Sequence, residues 1–124
     1  MDYQYSIQTP ILTTDQRLSE LTYIIELLRS HDIKRVDLWF GWPWGDAYGN
    51  WTPFQVSPDE ILFRISEAES LKAGSFVKDD LAIIITNLEM EILFCHEYDL
   101  HLDYNLQNSL VTDILDHWKV LRWS

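Results

Sequence analysis

Hydrophobic residues recur three to four positions apart along three segments of the chain, which is the spacing of a helix with one buried face. Thr13 and Gln16 open the first segment with the spacing of a capping box, and Ser57 and Glu60 open the second in the same way. Gly74 can supply a left-handed C-cap after the second segment. The pattern predicts helices over 13–31, from Ser57 to the region of Gly74, and over 110–121 with Asn108 or Ser109 as N-cap.

Other segments alternate between apolar and polar residues, as a strand with one buried face does. Strands are predicted from this alternation over 34–40, 90–94 and 98–104, and from a short β-branched run over 81–86, with a tight turn at Asn87-Leu88. Because the last three strands follow one another closely, we expect antiparallel hairpins. The order predicts an α+β fold, with a small antiparallel sheet of about four strands and three helices packed mainly on one face. The length of 124 residues predicts one domain over 1–124.

Charge narrows the functional classes, because 20 Asp and Glu against 9 Lys and Arg give a formal net charge of -11. Nucleic acid and anionic membranes are poor partners for such a chain. The single cysteine, Cys95, excludes an internal disulfide and is interpreted as a buried, inert thiol. On a strand it would face away from His96, against a nucleophilic Cys–His pair. No signal peptide or membrane-length apolar run is found, so a cytoplasmic location is expected.

Aromatic residues are concentrated in and directly beside one glycine-containing stretch, predicted to be a loop over 41–53: Trp39, Phe40, Trp42, Trp44, Tyr48, Trp51 and Phe54. One interpretation is that these rings cover an edge of the core. A second is an exposed recognition surface, since Trp and Tyr are frequent anchors of protein interfaces. Carbohydrate stacking, with Asp46 and Asn50 as polar partners, is a weaker third. We expect Trp42, Trp44 and Tyr48 to be the exposed members.

Carboxylate and imidazole side chains are dense between His96 and Asp103. If this segment is a strand, Asp99, His101 and Asp103 share one face. They can form a solvated sheet face, or, with His96 and Glu97, bind a divalent metal or act in acid–base catalysis. The motif lacks the His-Glu-x-x-His spacing and a Cys pair, which favours the solvated face.

The carboxyl-terminal part has nine carboxylates and no Lys or Arg between Asp79 and Trp118. An uninterrupted negative charge of this kind improves solubility, and it also attracts basic surfaces and speeds their association. A nuclease or another nucleic-acid-binding protein presents a basic surface of this kind. No phosphate loop, dinucleotide fingerprint or nucleophile elbow accompanies these carboxylates, so neither a cofactor nor an enzymatic activity is expected.

In size, acidity, aromatic content and lack of cofactor motifs, the chain resembles bacterial immunity proteins of contact-dependent or polymorphic toxin systems. The stretch from Phe94 to Leu102 is also similar to a segment of uncharacterised bacterial domains. The resemblance implies stoichiometric binding to a cognate toxin, at or beside its active site. The sequence therefore predicts a non-enzymatic protein that binds a basic toxin through residues of two segments: Trp42, Trp44, Tyr48, Glu97, Asp99, His101 and Asp103.

Two other functions stay open. One is a metal-binding module or metal-dependent enzyme that uses His96, Glu97, Asp99, His101 and Asp103 as ligands. The other is a subunit of a larger assembly, with the aromatic loop as a homodimer contact.

Overall fold

The structure, a computed structural model, describes residues 2–41 and 53–123. Six strands form one antiparallel sheet in the order β1-β6-β5-β4-β2-β3. They are β1 (Tyr5–Gln8), β2 (Val36–Phe40), β3 (Phe54–Val56), β4 (Leu81–Ile85), β5 (Met90–Phe94) and β6 (Leu100–Tyr104). The helices among the described residues are α1 (Thr14–Ser30), α2 (Ile61–Ser70) and α3 (Ser109–Val120), with short 3₁₀ turns at Pro58–Glu60 and Thr86–Leu88.

One face of the sheet forms the floor of the hydrophobic core. Leu38, Ile83, Ile92 and Leu102 pair directly across four strands, and none of them has exposed surface. The buried residues of the described helices complete the same core, including Leu21, Ile65 and Trp118. A large continuous apolar area is thereby removed from water, the main driving force for folding. The α+β class is therefore confirmed.

Two charged side chains of α1 are buried against this core. Glu20 accepts a hydrogen bond from Trp118 Nε1 at 2.9 Å, and its other carboxylate oxygen lies 2.9 Å from Nε2 of His117. Arg17 donates to the carbonyls of Phe76 and Cys95. Because a buried polar group is costly unless it is hydrogen-bonded, these contacts tie α1 to α3 and to two distant loops.

The sheet has six strands where about four were predicted, because both edge strands are short and bury few side chains. In β1 only Ile7 is partly buried, and β3 is three residues long. Both capping boxes are confirmed: Thr13 and Gln16 open α1, and Ser57 and Glu60 open the 3₁₀ turn that leads into α2, which itself begins at Ile61.

Gly74 does not provide the left-handed cap that was predicted for the second helix. Lys72, with φ 56°, adopts that conformation instead. Gly74 is required for a different reason, since a Cβ there would lie 2.9 Å from Cε2 of the buried Phe40 ring. The glycine thus permits a close approach of the chain to the core.

Candidate functional site

The side chains on the sheet face opposite the core, here called the open face, form two rows across the strands. Strand alternation places them there, because successive side chains of a strand point to opposite faces. In the first row Asp103 pairs with Glu91, Glu91 with Ile84, and Ile84 with Asp37. The second row comprises His101, Leu93, Ala82 and Trp39. The open face therefore combines carboxylates with apolar side chains at its centre.

Asp103 and Glu91 are two acids placed directly opposite each other on neighbouring strands. Burial raises the pKa of Glu91, and the charge of Asp103 adds to the effect. Oδ1 of Asp103 is buried and has no hydrogen-bond partner. Tyr3 makes a hydrogen bond to Glu91, and burial together with both carboxylates raises the pKa of Tyr3 to about 12. Within the described part of the chain neither acid pairs with Lys or Arg, so this pair favours an incoming cation.

The turn between β5 and β6 is held in place by backbone hydrogen bonds. The amide of Cys95 donates to the Asp99 carbonyl at 2.9 Å, and Tyr98, with φ 73°, donates back to the Cys95 carbonyl. Arg17 reaches the same carbonyl from the core side at 3.2 Å, with its guanidinium over the ring of Tyr98. The turn thus fixes the side chains that follow β5.

Cys95 lies at the centre of two groups of potential metal ligands. In one group it is joined by Asp99 and His101, and in the other by Asp80 and His96; within each group the ligand atoms all lie within 4.8 Å of one another. Nε2 of His101 is 2.9 Å from Oδ2 of Asp99. Burial raises the pKa of the Cys95 thiol, and the charge of Asp99 adds to it. A thiol of raised pKa is a poor nucleophile, which argues against covalent catalysis by Cys95.

Strand geometry predicted that His96 faces away from Cys95, and this prediction is wrong. Both residues follow the end of β5, and Sγ of Cys95 lies 3.9 Å from Nδ1 of His96. The same ring nitrogen is 2.9 Å from Oδ1 of Asp80, which also accepts the His96 backbone N–H. The hydrogen bond to Asp80 raises the pKa of His96.

The five residues predicted as an alternative metal site are divided in the structure. Asp99 and His101 are close together, as their shared strand face had predicted. His96 pairs mainly with Asp80, and Glu97 is an exposed residue 3.8 Å from the other His96 ring nitrogen. Asp103 lies opposite Glu91 instead of joining the cysteine groups. The proposed partner-binding residues Glu97, Asp99, His101 and Asp103 therefore follow one side of the open face and its adjoining turn.

The aromatic stretch can be described only at its two ends. Phe40 is fully buried in the core, and Trp39 and Phe54 are partly buried and pack against it. Arg64 lies over the ring of Phe54 at 5.3 Å. Trp42, Trp44 and Tyr48, the predicted exposed anchors, lie outside the described residues.

Several residues of this site were not predicted from the sequence. Glu91 and Asp37 alternate with apolar neighbours on their strands, so their position on the polar face was readable. Their alignment with Asp103 was not, because it depends on the register of three strand pairs. Asp80 directly precedes β4, and Cys95 directly follows β5. Their proximity depends on where these two strands begin and end, which the sequence pattern did not predict.

A surface cavity of about 560 Å³ formed by described residues lies around the 3₁₀ turn after β4. Its lining includes Asp37, Arg35 and Asn87 but neither of the groups around Cys95. The cavity therefore does not coincide with the candidate ligands.

No protein-family model matches the chain, and comparisons with curated proteins and with solved structures found no significant match.

Among the described residues, no helix has the length and apolar character that crossing a membrane requires.

Proposed function

We propose that this chain is a non-enzymatic binding protein whose open face takes up a basic protein surface. In its specific form, the proposal is that the chain is an immunity protein that neutralises a basic toxin, such as a nuclease, by stoichiometric binding. The observation that carries it is the Asp103–Glu91 pair, in which two acids face each other and a buried carboxylate oxygen of Asp103 has no partner.

Charge supports this choice of partner. Asp37 extends the acidic row across the sheet, and the sequence from Asp79 to Trp118 contains no Lys or Arg. An Arg or Lys side chain from a partner would partly neutralise the facing carboxylates and reduce the repulsion between Asp103 and Glu91. Such complementarity governs specificity and association rate.

The centre of the open face supports binding of a protein in place of a small cation. Ile84 lies between Asp37 and Glu91 in the first row, and in the second row Leu93 is followed by the buried Ala82 and by Trp39. Protein interfaces commonly have an apolar centre surrounded by polar residues. Burial of these side chains would add affinity, while the carboxylates would select a basic partner. The predicted anchors Trp42, Trp44 and Tyr48 remain part of this proposal.

The test measures binding and protection with the product of the adjacent gene. The toxin proposal expects that protein to be basic, to be toxic when expressed alone, and to elute with this chain as a complex. The double variant Asp37→Asn and Asp103→Asn removes two charges of the open face with little change in shape. We expect it to weaken the complex by at least about tenfold, and to reduce the salt dependence of binding.

The matched control removes two exposed carboxylates from helices α1 and α3, with Glu26→Gln and Asp116→Asn. It changes the net charge by the same amount, so an effect of overall charge would appear in both variants. Equal weakening by both variants, or full binding by the open-face variant, would contradict the proposed surface. A complex with a partner of neutral or acidic surface would contradict the choice of a basic toxin.

A further inference from the structure

We propose that the chain has a Zn²⁺ site at the edge of the open face, formed by Cys95, Asp99 and His101. The site differs from the predicted ligand set, which contained Glu97 and Asp103 and excluded Cys95. Asp99 and His101 also belong to the proposed partner-binding surface, but Zn²⁺ binding is measured on the chain alone, so either proposal can fail without the other.

The three side chains offer a thiolate, a carboxylate and an imidazole, all of which are established Zn²⁺ ligands. Their ligand atoms already lie within 4.8 Å of one another. In a tetrahedral zinc site, bond lengths of about 2.0–2.3 Å place ligand atoms about 3.5 Å apart. Side-chain adjustments of about an ångström would therefore complete the set, without movement of the backbone.

Asp99 gives an independent indication of a missing partner. Its Oδ2 interacts with His101, its Oδ1 is buried without a hydrogen bond of normal length, and the Cys95 thiol interacts with the same carboxylate. An unpaired buried carboxylate oxygen is costly. A cation bound between Asp99 and Cys95 would offset this cost.

The backbone of this site is well supported. Cys95 and Asp99 are joined by a hydrogen bond across the turn, and Arg17 donates to the Cys95 carbonyl from the core side. Asp99 and His101 are separated by one residue and lie on the same side of the chain. Three ligands on a short, fixed hairpin lose little conformational freedom on binding.

Asp80 and His96 form the other group around Cys95, but they are less suited to be the ligands. Their side chains are 41% and 57% exposed, against 16% for Asp99 and 22% for His101. Oδ1 of Asp80 already accepts two hydrogen bonds from His96. In the proposed site these residues flank the sulfur, and the fourth position of the ion is open to water.

Titration of the purified full chain with Co²⁺ tests the site directly, because cobalt bound by a thiolate has a charge-transfer absorption band. We expect one equivalent of Co²⁺ to produce this band and Zn²⁺ to displace it. Cys95→Ser should abolish the band. Absence of the band in the unmodified chain would overturn the proposal.

His101→Gln is a second variant at a partly exposed position, where folding is less affected than at Cys95. It is expected to lower Zn²⁺ affinity by at least about tenfold, as measured by calorimetry, with the far-ultraviolet circular dichroism unchanged. Asp99→Asn should act in the same direction. Binding that is equally strong in all of these variants would reflect surface carboxylates only and would overturn the site.

Two controls make the ligand set specific. His31→Gln removes another imidazole that pairs with a carboxylate, that of Asp113, and should leave Zn²⁺ affinity unchanged. His96→Gln should change it by less than about threefold (about 0.7 kcal/mol). If His96→Gln weakens binding as much as His101→Gln, the proposed three-residue set is wrong.

Discussion

Glu20 and Asp103 are both carboxylates close to the sheet, on its opposite sides. Glu20 is 2% exposed, and both of its oxygens have partners in Trp118 and His117. Asp103 is partly buried, with one oxygen unpaired and another acid, Glu91, directly opposite. Both oxygens of Glu20 have hydrogen-bond partners within the fold, whereas one oxygen of Asp103 has none. The difference separates a polar group that stabilises the protein from one that can recognise a ligand.

The largest expected effect comes from removing the carboxylate on the core side. Glu20→Leu leaves the indole N–H of Trp118 buried without an acceptor, and we expect a loss of about 3 kcal/mol in the free energy of unfolding. Urea denaturation measures the change. Glu26→Leu, at an exposed position of the same helix, should change stability by less than about 0.5 kcal/mol. Similar losses in the two variants would show that Glu20 is not a structural carboxylate.

A smaller loss in the free energy of unfolding is expected when an extra methyl group is placed against the core. Gly74→Ala places a methyl group against the ring of Phe40, which has no exposed surface and little room to move. We expect a cost of about 2 kcal/mol in thermal or urea unfolding. Phe40→Leu should cost less in the Gly74→Ala background than in the unmodified chain, because it relieves the contact. Strict additivity of the two substitutions would contradict the proposed clash.

The smallest effect has the opposite sign and lies on the open face. Glu91→Gln should raise the free energy of unfolding by about 0.5 kcal/mol at neutral pH, because it removes a like charge opposite Asp103. Gln retains an acceptor for Tyr3. Destabilisation by this substitution would show that the two acids do not repel each other.

The gain in the free energy of unfolding from Glu91→Gln should depend on pH in one direction. Folding raises the pKa of Glu91, so the ionised carboxylate destabilises the folded chain, and the penalty grows as pH rises through the folded-state pKa. The advantage of Glu91→Gln should therefore disappear toward pH values below about 4.3, the usual pKa of an unfolded Glu. Thermal melts across this range measure it, with Glu26→Gln as the exposed control. An advantage that persists in acid would exclude the charge explanation.

Local patterns were sufficient to predict much of the fold. Capping residues and helical spacing located α1 and α3, and strict alternation located the buried face of β6. The edge strands were missed because β1 and β3 are short and bury few side chains, so their pairing depends on neighbours distant in sequence. The left-handed residue after α2 was misplaced because the constraint on Gly74 comes from Phe40, which a local pattern cannot contain.

The candidate site was predicted less completely. Asp99, His101 and Asp103 were correctly placed on one face, since that follows from a two-residue period alone. Cys95 was correctly interpreted as buried, but its surroundings were not predicted, because the strand was assumed to continue through His96. The strand ends at Phe94, and the turn brings the thiol together with two carboxylates and two imidazoles. Such a grouping depends on where strands end and how they are aligned, which is not encoded in any short window.

Arg17 connects the core to the turn after β5, because it is buried and donates to the carbonyl of Cys95. Occupancy of that turn and the folding equilibrium of the domain are therefore thermodynamically linked. A ligand that binds only the folded turn raises the unfolding free energy by RT ln(1 + [L]/Kd), or about 2.7 kcal/mol at a concentration of 100 Kd. The melting temperature of the whole chain can consequently serve as a reporter for ligands of the open face.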